Sequence, residues 1–148
     1  MDKIFNNLND ILDELPRILR EFADEAHVRI ASQSISKHMI DAPGAEGTPN
    51  PGDTLRIVTG RLARSLVRAA ESRSGMEHEG FRELTVSADR FRLVVGSRVP
   101  YAGVHERGFA PRNLKARPYL EPGLIDSRPV LEQMLQDKIT KFIEDKLK

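Results

Sequence analysis

Apolar residues recur along the first part of the chain at the spacing of one helix face. Ile4, Leu8, Ile11, Leu15, Ile18 and Phe22 follow one another at alternating steps of three and four. Leu12, Leu19 and Ala26 broaden this stripe, and the pattern predicts an amphipathic helix over residues 1–37. Pro16 lies inside it and removes one backbone hydrogen bond, which predicts a kink between Leu12 and Pro16 or a division into two helices. A stripe this long needs a partner, within its own domain or on another subunit.

Residues 41–54 are rich in Pro and Gly and almost free of apolar side chains, the mark of a flexible loop. Residues 55–126 then read as a sheet with short helices. Thr59 is a candidate N-cap for a short helix that buries Leu62 and Leu66, four residues apart. Val67 to Glu71 is a candidate edge strand, and Ser72 to Gly80 a polar loop. Leu84, Val86 and Ala88 alternate with Thr85 and Ser87, and a turn at Asp89-Arg90 leads into Phe91 to Gly96, which predicts a β-hairpin. From about Arg128 the helical period returns, so residues 128–148 form a second amphipathic helix with Pro129 in its first turn. The plan is a single α+β domain over residues 1–148. It comprises a long N-terminal helix, a small antiparallel sheet with a hairpin, and a C-terminal helix packed on the sheet.

The chain has no cysteine, which excludes disulfides, thiolate metal sites and cysteine nucleophiles, and fits assembly in a reducing cytoplasm. The N-terminal stretch has neither the basic region nor the apolar core of a secretion signal, and no apolar run approaches the roughly 20 residues of a membrane helix. The net charge of +1 hides an asymmetry: residues 1–26 carry a net −4 and residues 56–118 a net +7, with twelve of thirteen cations there arginine. Either the basic middle faces nucleic acid, or the two regions meet across a subunit contact, which the bidentate fork of arginine favours.

Candidate chemistry is sparse. His105-Glu106 is the most enzyme-like pair, yet adjacent residues do not face one another on a helix or a strand, and no metalloprotease spacing accompanies them. Glu77-His78-Glu79 lies in a polar, Gly-flanked stretch better read as a solvated loop than as a metal site. His27 and His38 belong to the first helix and read as structural. No phosphate-cradling glycine motif is present. The sequence therefore predicts no catalytic residue, no metal and no cofactor. Arg61, Arg64 and Arg68 share one helical face opposite Leu62 and Leu66. Together with Arg56, they would face solvent, acidic residues of a neighbouring subunit, or DNA.

Five short pieces stand in order in the second half of the chain. They are Thr59-Gly60-Arg61-Leu62 with Ser65-Leu66; Val94-Val95-Gly96; Tyr101-Ala102 with His105-Glu106 and Gly108; Ala116-Arg117-Pro118-Tyr119-Leu120 with Pro122; and the closing helix. In this order the sequence resembles the tail-completion and neck proteins of tailed bacteriophages, a group that includes virion-morphogenesis and minor-tail-Z-like proteins. The resemblance implies a non-catalytic virion protein, assembled in the host cytoplasm, that completes the tail or joins it to the head. It further implies a homo-oligomeric ring, other neck and tail proteins as partners, passive contact with DNA in a central channel, and no membrane.

On physical grounds, Pro100 and Pro118 hold Val99 and Arg117 extended, Gly108 stops a turn begun at Tyr101, and Tyr119 and Leu120 are packing anchors. The stripe residues Ile4, Leu8, Ile11 and Leu15 and the arginines 56, 61, 64 and 68 are the interface candidates. A sequence-blind nucleic-acid-binding protein is the first alternative, and a small hydrolase built on His105 and Glu106 the lesser one.

Overall fold

The computed structural model describes the backbone of residues 2–41, 55–57, 60–71, 79–87 and 90–147, and the side chains of 8–39, 55, 60–67, 79–87 and 90–147. The predicted loop over 41–54 lies outside these residues except for Asp41, as do Thr59 and the side chains of Ile4, Arg56 and Arg68. The architecture is α+β. Helix α1 (Asp2–His38) is followed by strands β1 (Met39–Asp41) and β2 (Leu55–Ile57), helix α2 (Arg61–Glu71) and strands β3 (Gly80–Val86) and β4 (Phe91–Ser97). Helices α3 (Ala102–Arg107) and α4 (Leu120–Leu147) complete the order.

α1 is one helix and not two, with Pro16 held inside it. Its main partner is α4, which runs antiparallel to it. His38 and Lys37 meet Asp126 at 2.9 and 3.6 Å, Glu25 meets Lys138 at 2.9 Å, and Glu14 meets Lys146 at 2.5 Å. These pairs fix the register of the two helices; lying at the surface and in part exposed, each contributes little stability, with ~0–1 kcal/mol typical. The stability lies in the apolar seam between the helices. Phe22, Ala26 and Ile30 of α1 meet Leu131 of α4, and Phe91, Leu93 and Val95 of β4 pack against them. The predicted hairpin forms as β3 and β4, antiparallel from Gly80↔Ser97 to Val86↔Phe91. A second cluster gathers Ala31, Met39, Leu55, Leu62, Leu66, Val99, Ala102 and Tyr119, and Leu120 touches both clusters.

Three expectations are corrected. Val67 to Glu71 is not an edge strand but the continuation of α2, because Leu62, Ser65 and Leu66 bury one helical stripe and the helical backbone runs on to Glu71. The closing helix starts at Leu120 and not near Arg128, so Pro129 sits inside it and Pro122 occupies its first turn. Gly80 belongs to β3, where the polar loop was expected to extend to it. A parallel pairing of β1 with β2, Met39↔Leu55 through Asp41↔Ile57, adds a second small sheet that the sequence pattern did not indicate.

His27 ties α1 to α2. It is fully buried, and its Nε2–H donates to the Leu66 carbonyl at 2.9 Å, while Nδ1 has no partner among the described residues. Burial holds its pKa below the ordinary imidazole value, and Arg82 nearby acts in the same direction. The unfolded chain therefore takes up the proton first. Stability is complete above about pH 6.5 and is lost as the pH falls through that value toward the lowered one. In urea denaturation at pH 7.5 and 5.5, the wild type is expected to lose more stability than His27→Gln, whose amide can still donate to Leu66. Equal losses in the two proteins would remove His27 as the cause.

A candidate docking site

The signature segment folds into one unit around Glu106. Tyr101 leads into α3, whose end is set by Gly108. This glycine, at φ 80°, donates to the Val104 carbonyl at 2.8 Å. A Cβ there would meet the Leu114 carbonyl oxygen at 2.8 Å and the Ala116 nitrogen at 2.9 Å, so the position accepts no side chain. Arg117 N–H donates to the His105 carbonyl at 2.7 Å, bringing the Arg117-Pro118-Tyr119 run alongside α3. The Glu106 carboxylate then accepts three backbone N–H groups, from Tyr119 at 3.0 Å, Leu120 at 3.1 Å and Glu121 at 2.8 Å.

These three bonds explain why α4 begins where it does. A helix N-terminus leaves its first N–H groups without intrahelical partners. Here Glu106 takes those of Leu120 and Glu121, Pro122 has none to offer, and Gly123 bonds back to Tyr119 at 3.4 Å. The carboxylate also meets the positive end of the helix dipole. Glu106 is thus a cap supplied from thirteen or more residues away in sequence.

The neighbouring groups are packed rather than presented. Tyr119 is 2% exposed, and burial together with the Glu106 charge pushes its phenol well above the ordinary value. The His105 ring meets the Tyr101 ring edge-on at 5.6 Å, and desolvation and Arg117 lower its pKa. The two members of the enzyme-like pair face different tasks: Glu106 on the start of α4, His105 on Tyr101. Among the described residues, no group of three or more His, Asp and Glu is arranged to hold a metal ion, and no helix is long and apolar enough to cross a membrane.

The predicted arginine face is divided. Arg61 grips Glu79 with its guanidinium, Nε lying 2.8 Å from both carboxylate oxygens, so its acid comes from its own chain. Glu79, the one described member of the Glu77-His78-Glu79 run, is thereby an ion-pair partner. Arg64 is exposed, beside Gly60 at φ 68°. The structure does not unite these arginines with Leu8, Ile11 and Leu15, which lie on the N-terminal part of α1.

That part of α1 has a feature of its own. Lys146, which pairs with Glu14, lies one residue from the last described residue of α4, so residues 2–13 run past the described end of their partner, roughly 18 Å of helix at ~1.5 Å per residue. The apolar stripe continues from half-buried Leu15 onto this overhang: Ile11 is half-buried, while Leu8 is 48% and Leu12 66% exposed. Asp10 lies on the opposite side of the helix from Leu8 and Leu12, and no cation occurs between Lys3 and Arg17.

At the far side of the signature unit the chain forms a tip. Phe109 and Leu114 exchange backbone hydrogen bonds of 2.9 and 3.2 Å across a 3-10 turn, Ala110–Arg112, that closes through left-handed Asn113. Both side chains are exposed, at 40% and 50%. Arg107, Arg112, Lys115 and Arg117 lie close to them in sequence, and no acid occurs between Glu106 and Glu121. Sequence reasoning had no means to mark Phe109 and Leu114, because their pairing depends on the turn. No family model, curated protein or solved structure matches this chain.

Proposed function

We propose that this protein is a structural component of a tailed-bacteriophage virion, acting in tail completion or head–tail joining as a member of a homo-oligomeric ring. The observation that carries the reading is the Glu106 clip. It gathers two separate pieces of the signature, Tyr101-Ala102-x-x-His105-Glu106 and Ala116-Arg117-Pro118-Tyr119-Leu120, into one unit. Their polar groups are spent on positioning α3 against α4, which is the use an assembly protein has for such residues. The exposed leucines on the α1 overhang support the same reading, since apolar side chains without a cover among the described residues suit contact with another protein.

The nucleic-acid reading draws on the basic tip, and it is weakened where Arg61 already holds Glu79. The deciding experiment removes the gene from the phage genome that encodes it. Filled heads and separate tails are expected to accumulate in the lysate, and purified chain added back should join them. Full yields of joined, infectious particles without the protein would overturn the reading.

A further inference from the structure

We propose that α2 is an acid-released element: protonation of His27 frees α2 from α1, while α1, α4 and the β3–β4 hairpin stay joined. The device holds whether or not the chain serves in a virion.

The core has two parts, and α2 belongs to one of them. Leu62 and Leu66 of α2 lie in the cluster that holds Ala31, Met39 and Tyr119. The other cluster, Phe22, Ala26, Ile30 and Leu131 with side chains of β4, contains no residue of α2. His27 stands on the seam between α1 and α2, fully buried, and its bond to the Leu66 carbonyl at 2.9 Å is a polar link between the two helices. Beside it the packing is open among the described residues: an apolar groove separates Val28, Ala31 and Ile35 of α1 from Val67 of α2, and both valines are exposed.

A second proton on the imidazole has nowhere to bond, because Nδ1 meets no acceptor among the described residues. Two charged groups face the ring. Arg82 of β3 repels a cation there, and the carboxylate of Asp24 on α1, which would attract it, is engaged by Arg82. From α2 the ring meets the Leu66 carbonyl. A charged ring in this place is costly, while a ring exposed to water is not. Lifting α2 exposes it, breaks one cluster and leaves the other whole. Once detached, a helix of 11 residues is marginal in water, so α2 unfolds as it leaves.

Native-state hydrogen exchange in low urea, at pH 7.5 and 5.5 and corrected for the intrinsic pH dependence of exchange, tests the proposal. In the opened state His27 titrates near ~6.5, so one pH unit below that value the opening equilibrium rises by up to about tenfold. The amides of Ser65, Leu66 and Val67 are expected to show this rise. They should open at a lower free energy than those of Ile30 and Leu131, and with a smaller urea dependence. His27→Gln, checked for its fold by circular dichroism, should lose the pH response.

Equal exchange at Ser65, Leu66 and Val67 at the two pH values would overturn the proposal. So would a urea dependence equal to that of Ile30 and Leu131, which would mean that only complete unfolding frees the ring. An undiminished pH response in His27→Gln would do the same. In the wild type alone, an NMR titration supplies a further measurement: a His27 ring protonated at pH 5.5 while the three α2 amides stay protected is incompatible with release.

Discussion

Replacing Gly123 with valine is expected to destabilise the protein by about 3 kcal/mol or more, a larger loss than alanine would cause at Glu106. At this point α4 lies directly on α1: a Cβ on Gly123 would stand 2.8 Å from the Ser34 nitrogen and 2.9 Å from its Cα. The obstacle is backbone, so no rotamer change relieves it. The two helices must separate, and the seam of Phe22, Ala26, Ile30 and Leu131 opens with them. Overpacking a well-filled core typically costs ~1–3 kcal/mol, and a backbone obstacle places valine at or above the upper end. For a domain of this size the melting temperature should fall by roughly 6–12 °C. Gly123→Ala should show a smaller loss, and adding Ser34→Gly should recover only part of it, because the hydroxyl is only one of the obstructing atoms. A valine variant within about 1 kcal/mol of wild type in urea denaturation would show that the helices do not cross this closely.

Glu106→Ala is expected to cost about 2–3 kcal/mol, from the loss of three charge-assisted bonds to the start of α4. Glu106→Gln keeps an acceptor oxygen but no charge, and should fall between alanine and wild type. The discriminating measurement is hydrogen exchange by residue. The amides of Tyr119, Leu120 and Glu121 should exchange faster in the alanine variant, while those in the middle of α1 change only with global stability. Unchanged exchange at these three amides would mean that the carboxylate does not hold them.

The long stripes were readable because they repeat. Ile4 to Phe22 announces α1, and Leu131 to Leu147 announces α4, by local spacing alone. The hairpin was readable from Leu84, Val86 and the alternation after Phe91. The start of α4 was not. Pro122, Gly123 and Pro129 look like breakers in a row, and the group that rescues the helix, Glu106, lies outside any local window. Val67 misled for a related reason, since a β-branched residue suggests a strand, while the burial of Leu62 and Leu66 decides for a helix. The pairing of β1 with β2 joins segments separated by the whole 41–54 stretch, and three-residue strands carry too little pattern to announce it.

For the site, the sequence identified Glu106, Gly108, Tyr119 and Leu120 as structural but did not say that they serve one another. It placed His105 and Glu106 together as a pair, and the fold separates their tasks. Among the described apolar interface candidates, exposure singles out Leu8, which shares the overhang with Leu12.

The register of α1 against α4 also sets an order of events during synthesis. Glu14 and Lys146 are 132 residues apart in the chain, and His38 and Asp126 are 88 apart. At ~5–20 residues per second, a ribosome needs on the order of 5–15 s after finishing α1 before α4 begins to follow it. Through that interval only α2 and the hairpin can cover the inner half of the α1 stripe, and the side that α4 takes stays open. The newborn helix must wait, or be shielded by a chaperone or by a copy of the protein already made.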